Sequence, residues 1–91
     1  MHNYKIIKNI KLKTHHKPTG NTKHFRWGKE LSNEIWELKI IKIDPEPGFY
    51  LIYFDSKANE LTDTLHDSLE AAMQQAEFEF NVKQNEWEDC K

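Results

Sequence analysis

Apolar residues recur at helical spacing between residues 67 and 82. Good helix formers fill this segment, and neither Gly nor Pro interrupts it. Asp67, followed three residues later by Glu70, has the spacing of a capping box, and Asn81 is a candidate stop. The pattern predicts a helix over 67–82 with an apolar stripe of Leu69, Ala72, Met73, Ala76 and Phe80.

Residues 4–12 alternate between apolar and polar side chains, as a half-buried strand does. Lysines on the polar side suit the border of a sheet, so we expect an edge strand over 1–14, followed by a loop over 15–24. An exposed edge leaves both a monomer and a dimer open. The predicted inward side carries Tyr4, Ile6, Ile10 and Leu12.

Further strands are predicted between residues 25 and 66, with short polar turns between them. A short strand carries Phe25 and Trp27, and a last one covers 60–66. The segments 34–43 and 49–54 are apolar on both sides, which is typical of central strands. Alternation in 34–43 groups Trp36, Leu38 and Ile40 on one face and Ile35, Ile41 and Ile43 on the other.

Local connections favour antiparallel pairing of neighbouring strands. We therefore predict an α+β fold, in which an antiparallel β-meander of four to five strands is covered on one face by a single C-terminal helix. Ninety-one residues leave room for one domain, 1–91, with the meander over 25–66 and a polar tail over 83–91.

Composition bounds the compartment. The sequence has no apolar run near 18 residues and no charged-then-apolar leader, so we predict neither a membrane span nor a secretory signal. The single cysteine, Cys90, cannot form an internal disulfide, which fits a reducing cytoplasm. A cytoplasmic protein is the expectation.

The net charge of −2 hides a division along the chain. Residues 1–42 carry ten Lys or Arg against three Asp or Glu, a net charge of +7. Residues 43–91 carry three against twelve, a net charge of −9. Such asymmetry bears on partners and association rates, unless the two halves interleave in the fold and cancel.

Phe78 does not fit the apolar stripe of the predicted helix. It lies roughly opposite Leu69, with Glu70, Gln74 and Glu77 on the neighbouring flank. One interpretation is that the tail folds over it through Trp87. The other is an aromatic that faces a partner beside carboxylates, because aromatics are enriched at interface hot spots.

Enzyme-like patterns are few. His15 and His16 are adjacent and would point to opposite sides of an extended chain, so we predict no metal site and no cofactor. Asp63, His66 and Asp67 cluster where strand meets helix, but no nucleophile or oxyanion site accompanies them. We expect no catalytic residue and no enzymatic activity.

Nucleic-acid binding is the alternative function. Basic residues with interleaved aromatics in the N-terminal half are typical of a phosphate-binding surface with stacking groups. A sequence pI near 6 and the scarcity of arginine count against it. The residues for this alternative are Lys8, Lys11, Lys23, Arg26 and Trp27.

Protein binding through the acidic half is the favoured function. Carboxylates spread over residues 43–91 make a field that could steer a basic partner, although an acidic surface also serves solubility. No membrane partner is expected. The predicted partner-binding residues are Asp63, Glu70, Gln74, Glu77 and Phe78.

Residues 48–87 resemble small bacterial α+β proteins, several of which are immunity proteins of toxin–immunity pairs. The resembling pieces are the segments 48–53, 62–64, 67–70 and 75–80, with Trp87. The resemblance implies a cytosolic, non-enzymatic inhibitor that binds a cognate toxin, often a nuclease. It carries over no binding residue, and residues 1–40 lie outside it.

Overall fold

A computed structural model describes residues 3–19, 25–26, 28–30 and 34–89 of the chain. Five strands form one antiparallel sheet in the order β6-β5-β4-β1-β7, and helix α1 (Leu69–Phe80) packs on one face of it. The predicted α+β fold, a meander with a C-terminal helix over one face, is confirmed. The strands are β1 (Asn3–Lys11), β2 (Phe25–Arg26), β3 (Lys29–Glu30), β4 (Glu37–Asp44), β5 (Phe49–Phe54), β6 (Glu60–His66) and β7 (Glu88–Asp89).

Strands β2 and β3 pair with each other in a separate two-stranded sheet. The prediction that the strand at Phe25 belongs to the meander is therefore wrong. Two residues ending in Gly28 separate the two strands, and Gly28 has a φ of +77°, which a tight hairpin turn requires and glycine adopts without strain. Trp27 and residues 20–24 and 31–33 lie outside the described residues.

A bulge changes the side-chain alternation of β1. Ile6 pairs with Ile41 but Lys8 pairs with Ile40, so Ile7 is an extra residue that shifts the alternation by one. The prediction that all four apolar residues of this strand point inward is wrong for that reason. Ile10 and Leu12 pack in or against the core beneath α1, whereas Tyr4 and Ile6 lie on the opposite face.

The edge position of β1 is only partly open. The tail returns to the sheet, and β7 pairs with Lys8 and Asn9 over two residues. The tail also supplies core residues, because Val82 and Trp87 are buried. The interpretation that Trp87 covers Phe78 is wrong, since Trp87 packs in the core cluster and Phe78 stays half exposed.

The core lies between α1 and the face of the sheet that we call the proximal face. Leu38, Ile40, Leu51 and Tyr53 point from β4 and β5 into it and are inaccessible to solvent. The predicted apolar stripe of the helix covers them, as expected. Residues 34–36 precede β4, so strand alternation does not apply to them: Ile35 is buried in the core and Trp36 is exposed, the reverse of the prediction.

Helix α1 is shorter than the predicted 67–82. Its N-cap is Ser68, whose hydroxyl accepts a hydrogen bond from the Ala71 amide at 3.0 Å, and not Asp67. The Ser68 backbone is extended, as a cap residue requires, and a serine meets that demand as well as an aspartate does. Asn81 ends the helix in a left-handed conformation with φ of +60°, and its amide donates to the Glu77 carbonyl at 2.9 Å.

The opposite face of the sheet, which we call the distal face, is turned away from α1. Most of its central residues are apolar, although Lys39 lies among them, and its residues alternate with the core residues along each strand. Ile41 and Ile52 are buried by their neighbours on this face, but Tyr4 and Leu65 are 65% and 58% exposed. The sheet is therefore apolar on both faces, and α1 covers one of them.

Candidate functional site: an exposed stripe on the helix

Four of the five predicted partner-binding residues lie together on α1. Glu70, Gln74, Glu77 and Phe78 follow one another at intervals of four, three and one residues, which places them along one side of a helix. All four are exposed, and the Phe78 side chain is 50% accessible. We call these four residues the helix stripe, and it joins two carboxylates, one amide and one aromatic ring on the side of α1 away from the core.

The C-terminal end of the helix stripe is held in place by the segment before residue 20. The Thr19 hydroxyl donates to the Phe78 carbonyl at 2.6 Å, and the Thr19 amide donates to the Glu79 carbonyl at 2.9 Å. Lys83 donates to the Glu77 carboxylate at 2.8 Å. The last helical turn is therefore anchored from two directions, and an anchored aromatic loses less conformational entropy when it binds.

Asp63 is separated from the other predicted binding residues. It pairs with Ile52, and both lie on the distal face, whereas α1 lies over the proximal face. Asp63 and His66 also point to opposite sides of β6, since three positions separate them along a regular part of the strand. The structure thus brings together neither the predicted five-residue surface nor the acid–base group of Asp63, His66 and Asp67.

Glu79 does not belong to the acidic surface. It is 1% exposed, and its carboxylate accepts a short hydrogen bond from the Tyr53 hydroxyl beneath the helix. Burial, and then the Glu79 carboxylate, raise the pKa of Tyr53 far above its ordinary value, so the hydroxyl stays protonated as the donor. The sequence alone did not separate Glu79 from its exposed neighbour Glu77, although its position next to Phe80 and three residues from Ala76 placed it beside the apolar stripe.

A polar chain continues from this pair towards the end of β6. The Thr64 hydroxyl hydrogen-bonds with Tyr53 and lies 2.7 Å from His66 Nε2. Partial burial lowers the pKa of His66, which keeps the imidazole neutral near pH 7. Tyr53 and Glu79 are buried between helix and sheet, whereas Thr64 and His66 are partly buried, so this chain of groups links the core to the end of β6.

The two adjacent histidines converge on one carboxylate, contrary to the prediction. His15 Nε2 and His16 Nε2 lie 2.5 and 2.8 Å from Glu86 Oε2, because residues 14 and 15 form a turn and the chain is not extended there. The three side chains join the segment after β1 to the 3₁₀ turn Gln84–Glu86. Hydrogen bonds from the Lys13 and Lys83 segments then complete a clasp, which we define as His15, His16 and Glu86.

The hydrogen bonds of the clasp oppose metal binding at its centre. The Lys13 amide donates to His16 Nδ1 at 3.0 Å, so the proton of the neutral ring is on Nε2, which points at Glu86. A metal bound at Nε2 would need the other tautomer, with a proton on Nδ1 facing the Lys13 amide. Hydrogen bonds from the Lys83 amide and from both histidines lower the pKa of Glu86 to about 2, which keeps it an acceptor.

The residues of the nucleic-acid alternative are only partly described. Lys8 forms an ion pair with Asp89, and Lys11 is exposed on the distal face, on the other side of the sheet from Lys8. Lys23 and Trp27 lie outside the described residues, and for Arg26 only the backbone is described. The two lysines that can be placed do not form one basic surface.

Comparison with protein-family models, with curated proteins and with solved structures finds no match to this chain. Within the described ranges, no helix is long and apolar enough to cross a membrane. The assignment of the helix stripe as a candidate site is therefore based on the geometry of α1 alone.

Proposed function

We propose that this chain is a protein-binding module without catalytic activity, and that it docks a basic partner protein through the helix stripe. The observation that carries the proposal is Phe78, a large aromatic side chain that is half exposed among carboxylates on an anchored helix. Aromatic residues at the centre of a polar surface supply much of the affinity of protein interfaces.

Charge on the helix stripe suits a basic partner. Glu70 and Glu77 flank Gln74 on the same side of α1, and an acidic surface accelerates encounter with a basic one. Lys83 partly compensates Glu77, so Glu70 is the stronger contributor to the field. Glu79 is buried, and this leaves the exposed acidic group of the helix smaller than its sequence suggests.

The resemblance of residues 48–87 to immunity proteins gives the proposal its biological form. If the resemblance holds, the partner is a cognate bacterial toxin, which is often a nuclease, and the chain binds it in the cytoplasm. A nuclease has a basic substrate-binding surface, so carboxylates placed near it would compete with the phosphates of its substrate. The chain would then neutralise the toxin by direct binding.

Capture of partners from nuclease-treated lysate of the native cell tests this function. We expect one stoichiometric basic protein that is toxic when expressed alone and harmless when the chain is expressed with it. Retention of nucleic acid in its place, when nuclease is omitted, would favour the alternative function. A steep loss of that retention with salt would support phosphate contacts.

Variants of the helix stripe test its role. Glu70→Lys with Glu77→Lys should slow association with the captured partner by about tenfold or more at low salt, since it replaces attraction with repulsion. Phe78→Ala should raise the dissociation rate, with a loss of about 1–3 kcal/mol of binding free energy. Asp44→Lys with Glu88→Lys is a matched control, because it makes the same change in net charge at exposed positions outside α1. Equal effects of both double variants on the association rate would contradict this placement.

A further inference from the structure

The distal face of the sheet is largely apolar, with Lys39 of β4 near its centre and further charged side chains at its borders. Strand pairing arranges its side chains in rows that run across the sheet from β1 to β6. The apolar row contains Ile6, Ile41, Tyr50 and Leu65. The charged row contains Lys11, Glu37, Phe54 and Glu60.

The distal face carries both a depression and an exposed apolar side chain. A shallow depression of about 340 Å³ crosses this face from β1 to β6, and it is lined by Tyr4, Ile6, Lys39, Ile41, Ile43, Ile52, Phe54 and Glu60. On the side of β6, Leu65 projects from the sheet and is 58% exposed. Leu65 does not line the depression, whose β1 end contains Ile6 at the opposite end of the row that contains Leu65.

The charges of the distal face differ between its β1 side and its β6 side. Lys11 is exposed on β1, and Glu60 is exposed at the corresponding position of β6, at the two ends of the charged row. Asp63 adds a second carboxylate on the β6 side. Glu37 and Lys39 also lie on this face of β4, so the β1 side carries two lysines and one carboxylate, whereas the β6 side carries two carboxylates.

We propose that two copies of this chain associate through their distal faces, with a two-fold axis parallel to the strands and midway between β4 and β5. This rotation places β1 of one copy over β6 of the other copy, and each row faces the same row of the other copy. The strands of the two sheets then cross at the small angle that is usual for aligned sheet packing. Leu65 then enters the depression beside Ile6 and Ile41 of the second copy. Lys11 meets Glu60, and because a two-fold interface repeats every contact, the ion pair forms twice.

A second copy fits this face because the two-fold axis sets Lys11 opposite Glu60 and sets Leu65 opposite the end of the depression at Ile6. The association covers the face of the sheet that α1 leaves open. It leaves α1 of both copies on the outside, so both helix stripes stay accessible. The distal face is separate from the helix stripe, so dimerisation does not depend on the proposed function.

Sedimentation equilibrium of the purified chain, from micromolar to near-millimolar concentration, tests the inference. We expect a reversible monomer–dimer equilibrium. Leu65→Arg should abolish the dimer, and because Leu65 is exposed, the variant should keep the circular dichroism spectrum of the folded chain. A chain that stays monomeric over the whole range would overturn the inference and leave the distal face to a different protein.

A charge exchange tests the proposed orientation. Lys11→Glu and Glu60→Lys should each raise the dissociation constant of the dimer by about tenfold, since each turns two attractive pairs into repulsive ones. The combined variant should return the dissociation constant to near its original value, because the pairs form again with their signs exchanged. Glu70→Lys, a charge reversal on the helix, is the control and should leave the dimer unchanged. Failure of the combined variant to recover, or an equal loss in the control, would contradict the orientation.

Discussion

The two faces of the sheet have similar apolar content and different environments. On the proximal face, Leu51 and Tyr53 are inaccessible to solvent under α1. On the distal face, Tyr4 and Leu65 are largely exposed, although Ile41 and Ile52 between them are buried. The same alternating strands supply both faces, so the difference arises from the helix and not from the strands.

The chain buries the proximal face with its own helix, whereas the distal face keeps exposed apolar surface that another molecule can bind. Glu79 of α1 is buried against the proximal face, where the Tyr53 hydroxyl donates a hydrogen bond to its carboxylate. On the distal face, carboxylates such as Asp63 and Glu60 remain in solvent at the border of an apolar patch. Exposed apolar patches with charged borders are typical of interaction surfaces.

The largest expected difference in stability is between leucine-to-alanine substitutions on the two faces. Leu51→Ala should lower the free energy of unfolding by about 2–5 kcal/mol, because it opens a cavity under α1. Leu65→Ala should lower it by less than about 1 kcal/mol at concentrations that keep the chain monomeric. Chemical denaturation monitored by circular dichroism measures both. Equal losses would erase the distinction between the faces.

The buried pair of Tyr53 and Glu79 should have the next largest effect. Tyr53→Phe and Glu79→Gln should each cost about 1–3 kcal/mol of stability, since each disturbs a hydrogen bond to a buried carboxylate. A double-mutant cycle of the two substitutions measures their coupling by denaturation. Additive losses would show that the two groups do not act as a pair. Glu77→Gln on the exposed side of the same helix is the control and should change the stability little.

The start of α1 provides a smaller and sharper comparison. Ser68→Ala should cost about 1 kcal/mol, because it removes the side-chain acceptor of the Ala71 amide. Asp67→Ala should cost less, since Asp67 lies outside the cap. The midpoint of urea denaturation ranks the two variants. A larger loss of stability for Asp67→Ala than for Ser68→Ala would indicate that Asp67 is the N-cap, as the sequence predicted.

The clasp should contribute a pH dependence at acidic pH. The pKa of Glu86 falls from an ordinary 4.5 to about 2 in the folded chain, so folding favours the ionised carboxylate. Its stabilisation is present in full above about pH 5 and is lost as the pH falls towards 2. Nuclear magnetic resonance of the carboxyl carbons measures this pKa directly. A value near 4.5 would contradict the clasp, and Glu86→Gln should remove this part of the acid dependence.

Much of the fold could be predicted from periodicity because it depends on residues that are locally unambiguous. The helix stripe and the apolar stripe of α1 followed from spacing alone, and both lie where the pattern placed them. The bulge at Ile7 reverses the side of every later residue in β1. Periodicity alone did not predict this reversal. Ile7 and Lys8 break the alternation in the sequence, and that break is the local signal of the bulge.

The parts that sequence reasoning missed depend on contacts between distant segments. His15 and His16 meet Glu86 across about 70 positions, and the pairing requires a turn that adjacent histidines do not predict. Glu79 and Tyr53 lie 26 positions apart, and only the packing of helix on sheet brings them together. The rows of side chains on the distal face could not be predicted for the same reason, because they depend on the register between the strands.

Isoleucine methyl groups provide the most direct test of the division between the faces. Ile10 and Ile40 report on the proximal face, and Ile6, Ile41, Ile43 and Ile52 report on the distal face. A dilution series of methyl spectra should shift the distal signals with concentration and leave the proximal signals in place. Distal signals that do not change up to near-millimolar concentration, or proximal signals that change equally, would contradict the account.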